Sequence, residues 1–310
     1  MQRIISVMLA LLVLAFTATG QDFYVRGGLG YATYMAGQTM DGTATPYGGS
    51  MNNSSTTSTD YVSYSLKKAS YAAGVHLFLA GGYMFTPNIG FDLALDINAK
   101  PAKYTYSDNN ISVPIGNSSI TENLTITQHA KTPVLAIPAL VMQTNGKKMN
   151  LYSRIGLALP LGTKIIQDQL FNNPPGAGAP EPIDYTYEIQ NTFTIGLSAA
   201  LGIQYPLSDR VCLWGEMNFL SMSLFTKQAT LTNVTDSGYN VLNQVPDSQK
   251  VVHFSKNFTA QQGDYYHQPA FAQPFSNIGF TFGVKVNITS NGHNAAHRRT
   301  GKNYDDNDNY

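Results

Sequence analysis

Six charged residues share one register: Arg26, Asp92, Asp96, Arg154, Glu216 and Lys285 each fall on the polar side of a stretch whose alternate residues are apolar. Three are cations and three are anions. Facing one another in a space with little water, such a set would form ion pairs, because an unpaired buried charge is costly. Lining an open lumen, the same set would conduct or select ions. The narrower the enclosure, the more the first outcome is favoured.

Two other groups of residues carry chemical interest. His76, His129, His253 and His267, with many serines, are the raw material of a nucleophilic site. However, no nucleophile elbow, phosphate-binding glycine loop, His-Glu-x-x-His helix or cysteine pair is present. No enzyme, metal or cofactor is therefore expected. Tyr47, Tyr61, Tyr64, Tyr265 and Tyr266 lie in polar, aperiodic stretches. There an amphipathic ring suits contact with an extracellular protein or glycan.

The elements that position these residues read as strands. From Phe193 to Tyr205 the odd positions are apolar and the even ones small or polar, and after Pro206-Leu207-Ser208-Asp209 the alternation resumes through Val211, Leu213, Met217 and Phe219. Period two is a strand signature. The same pattern places strands at Asp22 to Gly37, Tyr71 to Phe85, Ile89 to Lys100, Thr121 to Gln143, Asn150 to Ile166 and Asn277 to Ile288. Tyr71 is expected on the outward face, and Tyr185, Tyr187 and Ile189 are expected to extend the sixth strand in phase. Pro138 predicts a bulge, since it cannot donate to a ladder and a closed sheet has no free edge to hide it.

Between the strands, Gln38 to Lys68, Tyr106 to Ser119, Asn172 to Pro182 and Thr232 to Gln268 read as long polar loops. Thr86-Pro87-Asn88, Thr144-Asn145-Gly146-Lys147 and Pro206 to Asp209 read as tight turns. Long and short connections alternate, as in an up-and-down membrane barrel with external loops, periplasmic turns and both termini in the periplasm.

Composition narrows the class. Charged residues make up 12% at zero formal net charge, which leaves no basic field for nucleic acid. The 27 Gly, 19 Tyr and 15 Phe suit small interior positions and aromatic girdles, and the single Cys212 excludes an internal disulfide. Met1-Gln2-Arg3, the apolar run Ile4 to Phe16 and Ala18-Thr19-Gly20 have the form of a cleaved secretory signal over residues 1–20. No later stretch approaches the roughly 18 apolar residues of a spanning helix. Any membrane span must therefore be made of strands.

The opening Phe23-Tyr24-Val25-Arg26-Gly27-Gly28-Leu29-Gly30-Tyr31, the Gly81-Gly82-Tyr83 approach to a turn, and the closing Asn277-Ile278-Gly279-Phe280-Thr281-Phe282-Gly283-Val284-Lys285-Val286 carry a family likeness. Over Gln21 to Thr289 the chain resembles the small single-chain outer-membrane β-barrels of Gram-negative bacteria, of the OmpA/OmpX/OmpW-like type. It departs from them in the tail after its last strand and in lacking a peptidoglycan-binding domain, so no peptidoglycan-anchoring role is expected.

The expectation is an all-β, eight-stranded antiparallel up-and-down transmembrane barrel over residues 21–289, followed by a polar periplasmic tail over 290–310 with the composition of a disordered segment. An eight-stranded barrel is just wide enough to be filled by side chains. The six charges therefore predict a plugged interior, with outer-membrane lipids around a monomer and partners met through the loops. A narrow porin-like channel for small polar or hydrophobic solutes is the alternative. An outer-membrane lipid-modifying enzyme ranks below both.

Overall fold

The computed structural model describes residues 22–35, 38–42, 64–115, 118–144, 146, 148–172, 182–257, 259 and 266–288. The expected leader 1–20, the expected tail 290–310, Tyr47, Tyr61 and Tyr265 lie outside them. In chain order the strands are β1 (Asp22–Tyr34), β2 (Gln38–Gly42), β3 (Tyr64–Lys68), β4 (Gly74–Met84), β5 (Ile89–Pro101), β6 (Lys103–Ile115), β7 (Ser118–Lys131), β8 (Val134–Gln143) and β9 (Asn150–Pro160). They continue as β10 (Lys164–Asn172), β11 (Ile183–Asn191), β12 (Gly196–Pro206), β13 (Val211–Ser221), β14 (Ser223–Asp236), β15 (Tyr239–Asn240), β16 (Val251–Ser255), β17 (His267–Pro269), β18 (Ala272–Pro274) and β19 (Asn277–Asn287).

Eight of these strands close an antiparallel barrel in the order β1-β19-β13-β12-β9-β8-β5-β4. Its lower rim holds the short turns 85–88 and 207–210 and the ends of β8 and β9 at Gln143 and Asn150. The barrel's own ends meet at the same rim, where the Ile288 N–H donates to the Phe23 carbonyl and the Asn287 N–H to that of Arg210. Burial is inverted relative to a water-soluble sheet. Leu29, Leu79, Phe91, Leu140, Ile155, Leu197, Leu213 and Phe282, one from each strand, point outward and are exposed, whereas Arg26, Asp92, Arg154 and Glu216 are buried inside.

Above the upper rim stands a second sheet, in the order β17-β16-β14-β11-β10-β7-β6, with β15 and β18 also paired to β14. The sequence reading missed it. The stretch Thr121 to Gln143, expected as one strand, is two, β7 and β8, split where Thr132 adopts a φ of 38° ahead of Pro133. Asn150 to Ile166 likewise divides into β9 and β10 around Gly162, whose φ is 73°. Among the described residues, the expected loop Tyr106 to Ser119 is strand, the expected loop Thr232 to Gln268 carries the end of β14, β15, β16 and the start of β17, and β2 and β3 pair at the two ends of the expected loop Gln38 to Lys68.

The inward phase changes at these breaks. In β8 the odd residues Leu135, Ile137, Ala139 and Val141 are buried, while in β7 the even residues Leu124, Ile126, Gln128 and Ala130 are. Tyr187 and Ile189 therefore do not extend the outward row of β12. Ile189 is fully buried and Tyr187 packs against the core beneath the upper sheet. No bulge forms at Pro138 either. Its pairing with Leu93 of β5 keeps register, and toward β9 the ladder merely skips Ile137 and Pro138 before resuming in the same register at Ala139 and Gly156.

Candidate functional site

Four of the six inner-face charges meet as a ring in the lower half of the barrel. Arg26 Nη2 lies 2.5 Å from Asp92 Oδ2 and its Nη1 3.2 Å from Glu216 Oε2. Arg154 Nη2 lies 2.6 Å from Glu216 Oε1, and its Nη1 closes the ring more loosely, 3.6 Å from Asp92 Oδ1. Cation and anion alternate, so the ring is neutral. All four residues are at most 3% exposed, with Asp92 at 0%.

Aromatic side chains fill the space around the ring. The Tyr152 hydroxyl donates to Glu216 Oε2 at 2.8 Å, and the Tyr24 hydroxyl to Asp92 Oδ2 at 3.4 Å. The Phe78 ring takes both guanidiniums, with Cζ of Arg26 and Arg154 4.9 and 4.8 Å from its centroid, and Trp214 lies 5.2 Å from Arg26. Such contacts add about 2 kcal/mol each where water is excluded. The inner-face glycines make room for these rings. Tyr24 pairs with Gly82 and Tyr152 with Gly202, and a Cβ at either glycine would fall inside its partner's ring.

The other two predicted charges stand apart from the ring. Asp96 Oδ1 is 2.7 Å from His76 Nδ1, nearer the upper rim. Lys285 pairs with Arg26 on β1 and with Cys212 on β13, four residues below Glu216. Its Nζ donates to Gln204 Oε1 at 3.2 Å and lies 4.1 Å from the Tyr24 centroid. An equal residue count up from the turns would put Lys285 in the layer of Arg26. Strand tilt and shear make that count unreliable, because hydrogen-bonded partners do not share a height around a barrel.

A second closure lies at the upper mouth, and the sequence did not reveal it. Residues 69–73, between β3 and β4, are all buried. Tyr71, expected outward on a strand, sits in this turn at 2% exposure, its N–H donating to the Pro274 carbonyl and its hydroxyl bonded to Gln128. Asn277 Nδ2 donates to the Ala72 carbonyl, Asn98 Nδ2 donates to that of Ala73, and His76 Nε2 lies 2.9 Å from the Ala72 carbonyl. Between this lid and the ring is a cavity of about 20 Å³, the size of one water, bordered by His76, Asp96, Arg154, Ser198, Asn218 and Thr281.

No protein-family model and no curated protein matches this chain. Several solved structures are similar to it. The outer membrane protein OprG from Pseudomonas aeruginosa is 13% identical, with 87% of this chain and 96% of that one covered at a TM-score of 0.37. Ail, the attachment invasion locus protein of Yersinia pestis, is 8% identical, covering 86% and 97% at a TM-score of 0.28. CarO2 of Acinetobacter baumannii is 11% identical, covering 86% and 100% at a TM-score of 0.30.

The histidines considered for catalysis stand at separate places. His76 is under the lid and His129 is on the outer face of β7, whereas His253 and His267 stack at 5.8 Å as register partners of β16 and β17. Among the described residues no three His, Cys, Asp or Glu are grouped to hold a metal. Tyr266 borders an open cleft of about 590 Å³ with Gln228, Asp247, Val251, His253 and His267. Of the other predicted loop tyrosines, Tyr64 opens the short strand β3.

Proposed function

We propose that this chain is an outer-membrane β-barrel with a closed lumen, a structural and contact protein of the cell surface rather than a diffusion pore or an enzyme. The observation that carries the reading is the inverted burial: a neutral ring of four charges inside, and an exposed apolar belt outside on all eight barrel strands. Soluble monomers rarely expose contiguous apolar patches beyond a few hundred Å². Barrel strands of 10 to 13 residues also suit the span of about 9–11 that a tilted strand needs to cross a bilayer.

In this reading the short turns face the periplasm, and the upper sheet stands outside the cell. The open cleft beside Tyr266, His253 and His267 belongs to that external part and is where a protein or glycan would be met. The barrel closes within one chain, which supports a monomer as the unit in the membrane. Planar-bilayer recording of the purified, refolded protein tests the closed lumen. The expected record is silent, and reproducible unitary steps would sink the reading in favour of a narrow channel.

A further inference from the structure

The cations on the outer surface are unevenly placed. Lys100 is the last residue but one of β5, Lys103 begins β6, Lys131 ends β7 and Lys164 begins β10, so all four lie within three residues of a break between barrel and upper sheet. The barrel strands beneath them, β5, β8 and β9, are contiguous neighbours. The four face outward. Lys100 pairs with the exposed Val75, Lys103 with His129, and Lys131 directly with Lys164 on the face opposite the buried Ile126, Ala130 and Ile165. Across the barrel, the rim over β1 and β13 carries Tyr34, Met35, Ser221 and Phe225 instead, with a single outward lysine, Lys227, two residues beyond Phe225 on β14, while Lys68 and Lys256 lie over the Tyr34 and Phe225 rings.

Two like charges directly opposite in a sheet repel. Glu188 relieves part of this by accepting from both Lys131 and Lys164, and among the described residues no carboxylate lies within ion-pair distance of Lys100 or Lys103. Four cations against Glu188 and Asp168, which stands on the same outer face of β10 four residues beyond Lys164, still leave a net positive arc. Immediately below it is the apolar belt, with Leu157, Leu159 and Leu161 leading up to Lys164 on one strand line. A positive arc resting on a hydrocarbon-facing belt sits at the height of lipid headgroups. The spacing suits phosphate, which a lysine binds as a point charge.

We propose that Lys100, Lys103, Lys131 and Lys164 form a docking arc for the phosphate groups of outer-leaflet glycolipid, on one side of the barrel only. This rests on the outer-membrane reading, which supplies the bilayer at that height. The arc fixes the barrel's depth and its rotational setting in the outer leaflet, and Glu188 holds two of the lysines apart from the interior so that their remaining hydrogens face the lipid.

The test uses the full chain refolded into phosphatidylcholine nanodiscs doped with diphosphorylated lipid A or with the same lipid dephosphorylated. The expected result is a preference of at least about tenfold for the diphosphorylated form, weakened by salt. That preference should vanish in K103Q/K131Q/K164Q and persist in K227Q/K256Q. Equal binding of the two lipids, an unaffected triple variant, or competition by inorganic phosphate alone without lipid preference would each overturn the docking arc while leaving the barrel in place. Failure of the wild-type chain to enter nanodiscs would instead overturn the membrane reading and the arc with it.

Discussion

Glu216 is the residue on which the interior depends most, because it accepts from both guanidiniums and from Tyr152. Glu216→Ala would leave Arg26 and Arg154 sharing Asp92, and removing one partner of a buried pair costs about 3–5 kcal/mol. Removing Glu216 and Arg154 together deletes one anion and one cation and keeps the Arg26–Asp92 pair, so the double variant should unfold later in urea than the single. Additive losses in that cycle would mean the ring is not a coupled unit. His76 faces two acceptors, the Asp96 carboxylate and the Ala72 carbonyl, so only the doubly protonated ring satisfies both. That all six charges point inward was legible from alternation alone. Their partition into a ring of four, a His76–Asp96 pair and a lower lysine was not, because shear decides which residues on different strands share a height.

At the scale of elements, the barrel strands were legible and the upper sheet was not. Each break inserts a change of phase, so a run such as Thr121 to Gln143 averages two opposite alternations and reads as a blur. Thr132-Pro133 and Gly162 were the available signals, since a backbone with positive φ or without a donor interrupts a ladder. The upper sheet also titrates differently from the barrel. Hydrogen bonds from Lys164 and Lys131 hold the Glu188 carboxyl below the ordinary range, and burial with nearby Lys103 lowers His129. Both are depressed pKa values, so each contributes stability above its unfolded value that is lost as pH falls toward its folded one. Burial beside Asp168 raises Asp184, which acts in the opposite sense. Two of three shifts favour neutral pH, and the protection of β10 and β11 amides against exchange, taken relative to the intrinsic rate at each pH, should fall more than that of β12 and β13 on going from pH 7 to the carboxylate range. An equal change in protection in both pairs would contradict this.

For the whole molecule, the two closures act in series: a charge ring low in the barrel and the 69–73 lid at its mouth, joined by one apolar core running from Phe78 and Trp214 through Met222 and Phe275 to Tyr71 and Ile165. A path through the barrel must pass both, so opening either alone should leave the protein silent in a planar bilayer. The lid can be addressed at Gly74, whose φ is 138° and where a Cβ would collide with the Lys100 carbonyl. Gly74→Ala should therefore displace the turn while leaving the ring, which lies lower, intact. The ring can be thinned without leaving a bare charge by removing Arg26 and Asp92 together, because Arg154 and Glu216 remain paired. Neither variant should conduct. Gly74→Ala combined with Arg26→Ala and Asp92→Ala should give small unitary steps, since Tyr24 and Tyr152 still narrow the lumen. Steps from the Gly74 variant alone would show that the ring does not seal. Steps from the ring variant alone would show that the lid does not. Silence from the combined variant, with the barrel still folded, would assign the closure to the aromatic packing around Phe78 and Trp214 rather than to charge.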